Sequence, residues 1–239
     1  MEKETRSHTV TKTNYSTPVA IVIAGLVIAG AVFFSDGKKD VTPNNNTANT
    51  NQANTVNIKN VKIAGEPFIG NANAPVVIAQ WSDYQCPACQ YAEQKFITPL
   101  IADYVNAGKV KIVFKDFAFL SQDSQTIALT ARAVWEAYPS KFYEWHKVFF
   151  DNQGQENTGW ATKEKIASLN AKVVGLDQAV IDKLIAKNSV AYQAAIDAGK
   201  AEGVKLGVNA TPSFIIGDKL IVGVPQYENV KVLIDSLLK

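Results

Sequence analysis

Val76-Val-Ile-Ala-Gln-Trp81 runs into Ser82-Asp-Tyr-Gln85 and then into Cys86-Pro-Ala-Cys89. The first six residues form a short, nearly continuous apolar run, the pattern of a strand buried within a sheet. The next four are turn-like. Cys86-Pro-Ala-Cys89 then opens a helix. Pro87 suits a first helical turn, where its missing N–H has no intrahelical partner to lose. Tyr91/Ala92, Phe96, Leu100/Ile101 and Tyr104/Val105 recur near the helical period. Pro99 is expected to kink or break this helix, and Ala107-Gly108 to stop it.

Two cysteines three apart at a strand-to-helix junction have chemical consequences. Cys86 sits where free backbone N–H groups and the helix dipole favour an anion, which stabilises its thiolate. Cys89 is one turn deeper and more shielded. That asymmetry suits thiol–disulfide exchange, with Cys86 as the exchanging nucleophile and Cys89 as the resolving thiol of a Cys86–Cys89 disulfide. Zinc fits less well. The chain has no other cysteine, and only His8 and His146 could complete a tetrahedral set. A structural disulfide across so short a loop would constrain little of the unfolded chain. No metal, nucleotide or flavin cofactor is suggested.

The chain has 239 residues, with 24 Lys and Arg against 22 Asp and Glu, for a net charge of +2. That balance excludes electrostatic binding of nucleic acid as the main role. At 47% hydrophobic, the composition excludes a wholly disordered chain.

Upstream, residues 1–17 read as a short cytoplasmic tail. Residues 18–34 are uncharged and apolar, at the short end of what spans a bilayer, and are read as a transmembrane anchor. A cleaved signal peptide is the alternative, since Ala29-Gly30-Ala31 is a small-x-small site. Val32, Phe33 and Phe34 continue past that site, which favours the anchor. Residues 35–57 read as a flexible, Asn-rich tether. One folded domain, 58–239, follows.

Downstream, Lys109 to Phe117 alternates charged and apolar residues as a second strand. Residues of about 121–206 read as an all-helical insertion. Ser124 to Tyr138, Phe142 to Phe150, a helix from Thr162, the stripe Leu176, Val180, Ile181, Leu184 and Ile185, and Ser189 to Leu206 are separate helices in this reading. Pro212 to Ile216 and Lys219 to Val222 form a hairpin, and a terminal helix closes the chain. The class is α/β, a mixed sheet flanked by helices.

The order strand–CPxC–helix, a later Thr211-Pro212 before a hairpin, and a terminal helix resembles the thioredoxin fold. The helical insertion and the tract Trp81 to Cys89 resemble the DsbA-like family of extracytoplasmic thiol–disulfide oxidoreductases, here a membrane-anchored member. Gly108 to Phe117, Lys141 to Phe150 and Gly207 to Gly217 carry the same likeness. It implies a cis Thr211-Pro212 bond facing the cysteines, with Thr211 and Pro212 shaping a groove for extended substrate chain. Trp81 and Tyr84 are further groove candidates. It also implies a substrate class of unfolded or reduced exported proteins, and a quinone-linked membrane thiol oxidase as redox partner. The domain is expected to be monomeric and to face the extracytoplasmic side, attached to the cell membrane by a single span, or secreted if the N-terminal segment is cleaved.

Two departures bear on redox poise. The family's buried acid, six residues before the first cysteine, is here Gln80, which cannot accept a proton. Asp83 is a candidate substitute. Where strongly oxidising members carry His between the cysteines, this chain has Pro87-Ala88. Cys86 is therefore expected to be less acidic than in those members, and the protein a milder oxidant. His146 is read as a packing or helix-surface residue. The reading is an enzyme that introduces disulfides. A reductase or isomerase of the same fold, and a non-redox peptide-binding or chaperone module, are its alternatives.

Overall fold

The computed structural model describes residues 56–239. The tail with His8, the apolar run 18–34 and residues 35–55 of the Asn-rich stretch lie outside the described residues. The last two residues of that stretch belong to the folded part. Val56 packs on a core cluster. The Asn57 side chain accepts from the Lys59 N–H and caps a 3-10 turn, Ile58–Asn60. Ile58 N–H donates to the Gly217 carbonyl at 2.7 Å, joining this turn to the hairpin. Among the described residues no helix is long and apolar enough to cross a membrane.

Among the described residues five strands make one mixed sheet: β1 (Phe68–Ile69), β2 (Val76–Ser82), β3 (Val110–Asp116), β4 (Ser213–Ile216) and β5 (Lys219–Val222), in the order β1-β3-β2-β4-β5. β2 and β3 are parallel, so the chain between them must cross over, and the helix opened by Cys86 makes that crossover. The other pairings are antiparallel. β1 is unexpected. Two residues are too few to carry a periodic signal, and it exists because Phe68 and Ile69 pair with Val113 and Ile112.

Central β2 is covered on both faces, which explains its nearly unbroken apolar run. Ile78, with Ile112 and Ile216 beside it, faces one core with Phe96, Leu100 and Trp145. Ala79 and Trp81 face a second core with Val61, Leu206 and Val208.

The helix after Cys86 is not broken at Pro99. α1 (Pro87–Ala92), a π turn (Glu93–Ile97), α2 (Thr98–Leu100) and a second π turn (Ile101–Val105) follow without a gap. Pro99 cannot donate, and its ring crowds the preceding turn. The wider turns on either side accommodate it, and Thr98 Oγ1 donates to the Glu93 carbonyl at 2.8 Å. Gly108, at φ +71°, ends the run as expected.

α3 (Gln122–Ala137), α4 (Phe142–Asp151), α5 (Lys163–Asn170) and α6 (Gln178–Lys205) form the helical insertion, and α7 (Tyr227–Leu237) closes the chain. The two helices expected between Leu176 and Leu206 are one, the 28-residue α6, because no proline or glycine interrupts Lys183 to Val190. α6 lies close against the sheet. A Cβ at Gly203 would stand 2.7 Å from Trp81 Nε1, so only glycine permits this approach. Trp81 Nε1 in turn donates to the Gly199 carbonyl at 3.0 Å. A buried ion network ties the same region together. Lys115 meets Glu66 at 2.7 Å and Glu202 at 2.9 Å, while Arg132 pairs with Glu66 and Asp116.

Candidate active site

Cys86 is the N-cap of α1, in extended conformation, and Pro87 takes the first helical position. A cap residue faces the free N–H groups of the first turn. The Cys89 N–H donates to the Cys86 carbonyl at 3.0 Å and closes that turn. Pro87 and Ala88 are exposed, while Cys86 is 8% exposed and Cys89 fully buried. Both cysteines are free thiols.

The two sulfurs have opposite chemistry. The Cys86 thiol is lowered from 9.0 to about 6, chiefly because Cys89 hydrogen-bonds to it; burial opposes this, and Thr211 and the backbone N–H groups of Cys89 and Ala88 assist. Burial pushes the Cys89 thiol well above 9.0, and the hydrogen bond with Cys86 and the charge on that sulfur add to the effect. A polarised pair of this kind keeps the outer sulfur as a thiolate and the inner one as a thiol near neutral pH.

The β2/β4 register brings Thr211-Pro212 to this turn. Trp81, near the end of β2, pairs antiparallel with Ser213 at the start of β4, so the segment that follows β2 and the segment that precedes β4 leave the sheet side by side. The Thr211–Pro212 peptide is cis. Cys86 Sγ donates to the Thr211 carbonyl at 3.4 Å, and Thr211 is half-buried while Pro212 is buried.

Other expected site residues have different roles. Trp81 is fully buried and Tyr84 is 7% exposed, so neither lines a groove. Trp81 packs under α6 as described above, and Tyr84 stacks on Phe150 with ring centroids 5.0 Å apart. Sequence proximity to Cys86 does not reveal that α6 covers Trp81 or that Phe149 and Phe150 of α4 cover Tyr84. Asp83 is not a spare proton acceptor. Its carboxylate accepts from the N–H groups of Gln85, Phe119 and Leu120 and from Ser124 Oγ, at 2.8, 2.9, 3.2 and 2.6 Å. It organises the loop that carries Cys86. Gln80 is fully buried on β2 and donates through Nε2 to Glu93 Oε1 at 2.9 Å.

The structure also assembles residues that the sequence alone does not place in the site. His146 is 1% exposed, so of its two readings it is the packing residue and not a helix-surface one. It packs on Phe114 at 4.5 Å between ring centroids, and its two ring nitrogens meet Tyr84 Oη at 2.7 Å and Glu93 Oε1 at 3.1 Å. Gln153 Nε2 donates to the carbonyls of Tyr84 and Cys86, at 2.8 and 3.2 Å, and holds the turn before α1. Glu93 carried one legible signal, its position four residues after Cys89 in a helix. Gln153 carried none. Among the described residues no group of three or more His, Cys, Asp or Glu is placed to hold a metal ion.

Comparison with known proteins agrees with this geometry. A family model described as thioredoxin matches residues 62–236. The disulfide bond formation protein D of Bacillus subtilis is 27% identical over 177 residues, which cover 74% of this chain and 79% of that protein. The crystal structure of oxidised BdbD from Bacillus subtilis superposes with a TM-score of 0.68 at 25% identity, covering 74% of this chain and 95% of that one. The thiol-disulfide exchange protein α-DsbA2 of Wolbachia pipientis gives 0.65 at 27% identity, covering 73% and 88%.

Proposed function

The chain belongs to the thioredoxin family as a DsbA-like thiol–disulfide oxidoreductase, and on that premise we propose that it introduces disulfides into exported proteins by exchange at Cys86–Cys89. The observation that carries the reading is the polarised pair, an outer thiol lowered to about 6 beside an inner one raised above 9.0. Stabilising the Cys86 thiolate favours the reduced enzyme, which makes its disulfide an oxidant.

In the oxidative direction a substrate thiolate attacks Cys86 Sγ. A substrate–Cys86 bond forms, the Cys86–Cys89 bond breaks, and its electron pair passes to Cys89. A second substrate thiolate then attacks the substrate sulfur, and Cys86 leaves as a thiolate. The substrate is oxidised by two electrons and the enzyme reduced by two. Thr211 and cis-Pro212 flank the extended substrate chain. Exposed Ala88 brings no cation to the thiolate, which supports a milder oxidant.

We assign reoxidation to a quinone-linked membrane thiol oxidase, and the domain to the extracytoplasmic side as a monomer, held by a single span over residues 18–34. N-terminal sequencing of the protein from membranes tests the anchor: residues upstream of Val32 must be present.

The test of the activity is oxidation of a reduced, unfolded two-cysteine protein. The disulfide form of the enzyme is expected to transfer its disulfide stoichiometrically, and Cys86→Ser to transfer none. Equal oxidation by Cys86→Ser would leave only a peptide-binding role.

A further inference from the structure

The hold on the Cys86 sulfur depends on geometry more than on charge. The influences that lower its thiol are all hydrogen bonds, from Cys89, from Thr211 and from the backbone N–H groups of Cys89 and Ala88. Hydrogen bonds weaken steeply when they bend. How well a thiolate is held there depends on how firmly the turn before α1 fixes the Cys86 backbone. Pro87 and Ala88 are exposed, so the outer side of that turn is open to solvent.

On its inner side the turn is held by chain from the helical insertion. α4 ends at Asp151, and two residues later Gln153 turns back toward α1. Its Nε2 donates to the Tyr84 carbonyl at 2.8 Å and to the Cys86 carbonyl at 3.2 Å. Both partners are carbonyls, which only accept, so the amide nitrogen must face them. The Cys86 carbonyl also accepts the N–H groups of Cys89 and Gln90, at 3.0 and 3.2 Å. In the reverse direction Gln90, next to Cys89 on α1, donates through Nε2 to the Phe150 carbonyl at 2.7 Å. The segment that carries Gln153 is itself pinned. Gly154 lies against the Trp160 ring, where a Cβ would come within 2.4 Å of it. The Asn157 N–H donates to Gln85 Oε1 at 3.0 Å. Gln85 is fully buried, and its Nε2 donates to Ser121 Oγ and Ser124 Oγ at 2.6 and 2.8 Å.

We propose that Gln153 is a positioning residue for thiol exchange: from the end of α4 it fixes the backbone of the residue that caps α1, so that the Cys86 sulfur stays aligned with its hydrogen-bond donors. This rests on Cys86–Cys89 being an exchanging dithiol. Gln153 acts through the Tyr84 and Cys86 carbonyls and not through the sulfur itself. Its effect is to raise the share of Cys86 that is thiolate. By stabilising the dithiol form it also raises the oxidising power of the disulfide. The helical insertion thereby takes part in setting the redox poise of a site built on the sheet.

The experiment titrates the Cys86 thiolate in the reduced full chain, by its ultraviolet absorbance and by the pH profile of alkylation with iodoacetamide. Gln153→Met keeps the length of the side chain and removes the donor. Cys86 is expected to bind its proton about three- to tenfold more tightly in this variant; tenfold is about 1.4 kcal/mol, less than one hydrogen bond to a charged group is worth. The equilibrium with glutathione is expected to shift several-fold toward the disulfide form. Amide exchange at Cys89 and Gln90, whose N–H groups share the Cys86 carbonyl, is expected to speed up at least ~10-fold, whereas a general loss of stability would speed every core amide alike and count against positioning. Gln153→Lys returns donors to the same two carbonyls, and is expected to restore the wild-type titration or carry it lower. An unchanged Cys86 titration in Gln153→Met, or no recovery in Gln153→Lys, overturns the proposal. A wild type whose Cys86 titrates as an ordinary thiol would instead sink the exchange reading beneath it.

Discussion

The depressed Cys86 thiol ties the stability of the dithiol form to pH. A thiol lowered from 9.0 to about 6 holds its proton about a thousandfold less tightly when folded. At about 1.4 kcal/mol per tenfold this amounts to about 4 kcal/mol. Cys86 adjoins exposed Pro87 and Ala88, so solvent screening reduces the expected gain to about 2 kcal/mol. The sign follows from which state binds the proton. The unfolded thiol keeps its proton up to about 9.0 and the folded one sheds it above about 6, so stability rises with pH across that window and is lost as pH falls through about 6. Cys89 works in the opposite direction, but only above 9.0, where the unfolded thiol ionises. Urea titrations of the dithiol form, the disulfide form and reduced Cys86→Ser, at about pH 5.5 and pH 8.5, isolate the effect. The dithiol form is expected to gain about 2 kcal/mol over both references between the two pH values. A dithiol form that parallels reduced Cys86→Ser across the window would refute the polarised-thiol account.

Two further outcomes follow from packing. Gly203→Ala places a methyl 2.7 Å from Trp81 Nε1, and the displacement of a helix packed on a fully buried indole is expected to cost about 1–3 kcal/mol in urea unfolding. Asp83→Ala removes the acceptor of three backbone N–H groups and Ser124 Oγ. It is expected to cost about 2–4 kcal/mol, and to loosen the Cys86 loop enough that protease cuts first between Ser82 and Gln85.

The chemistry was largely legible in local sequence, because a strand, a turn and a helix opened by Cys86-Pro87 are set by nearest neighbours. The hairpin at Gly217-Asp218 was legible for the same reason. What the sequence hid was assembled across distance. Glu93, His146, Tyr84 and Gln80 meet from a helix, an insertion helix, a loop and a strand, and no spacing in the chain predicts that meeting. Trp81 looked like a groove residue because burial on the second face of β2 depends on α6, which packs there through Gly199 and Gly203, more than a hundred residues away in the chain, and Tyr84 because its cover comes from Phe149 and Phe150 of α4, more than sixty residues away. Pro99 misled in a different way. A proline forbids one hydrogen bond, but a helix can widen around it, and whether it does so depends on the core that Phe96 and Leu100 must still reach.

The central claim is that the Cys86–Cys89 disulfide is an oxidant because the reduced form is stabilised at Cys86. Equilibration with glutathione buffers, read out by the fraction of disulfide form, gives its reduction potential directly. The account predicts a value less negative than about −200 mV, and a value near about −270 mV, that of a cytosolic thioredoxin, would contradict it.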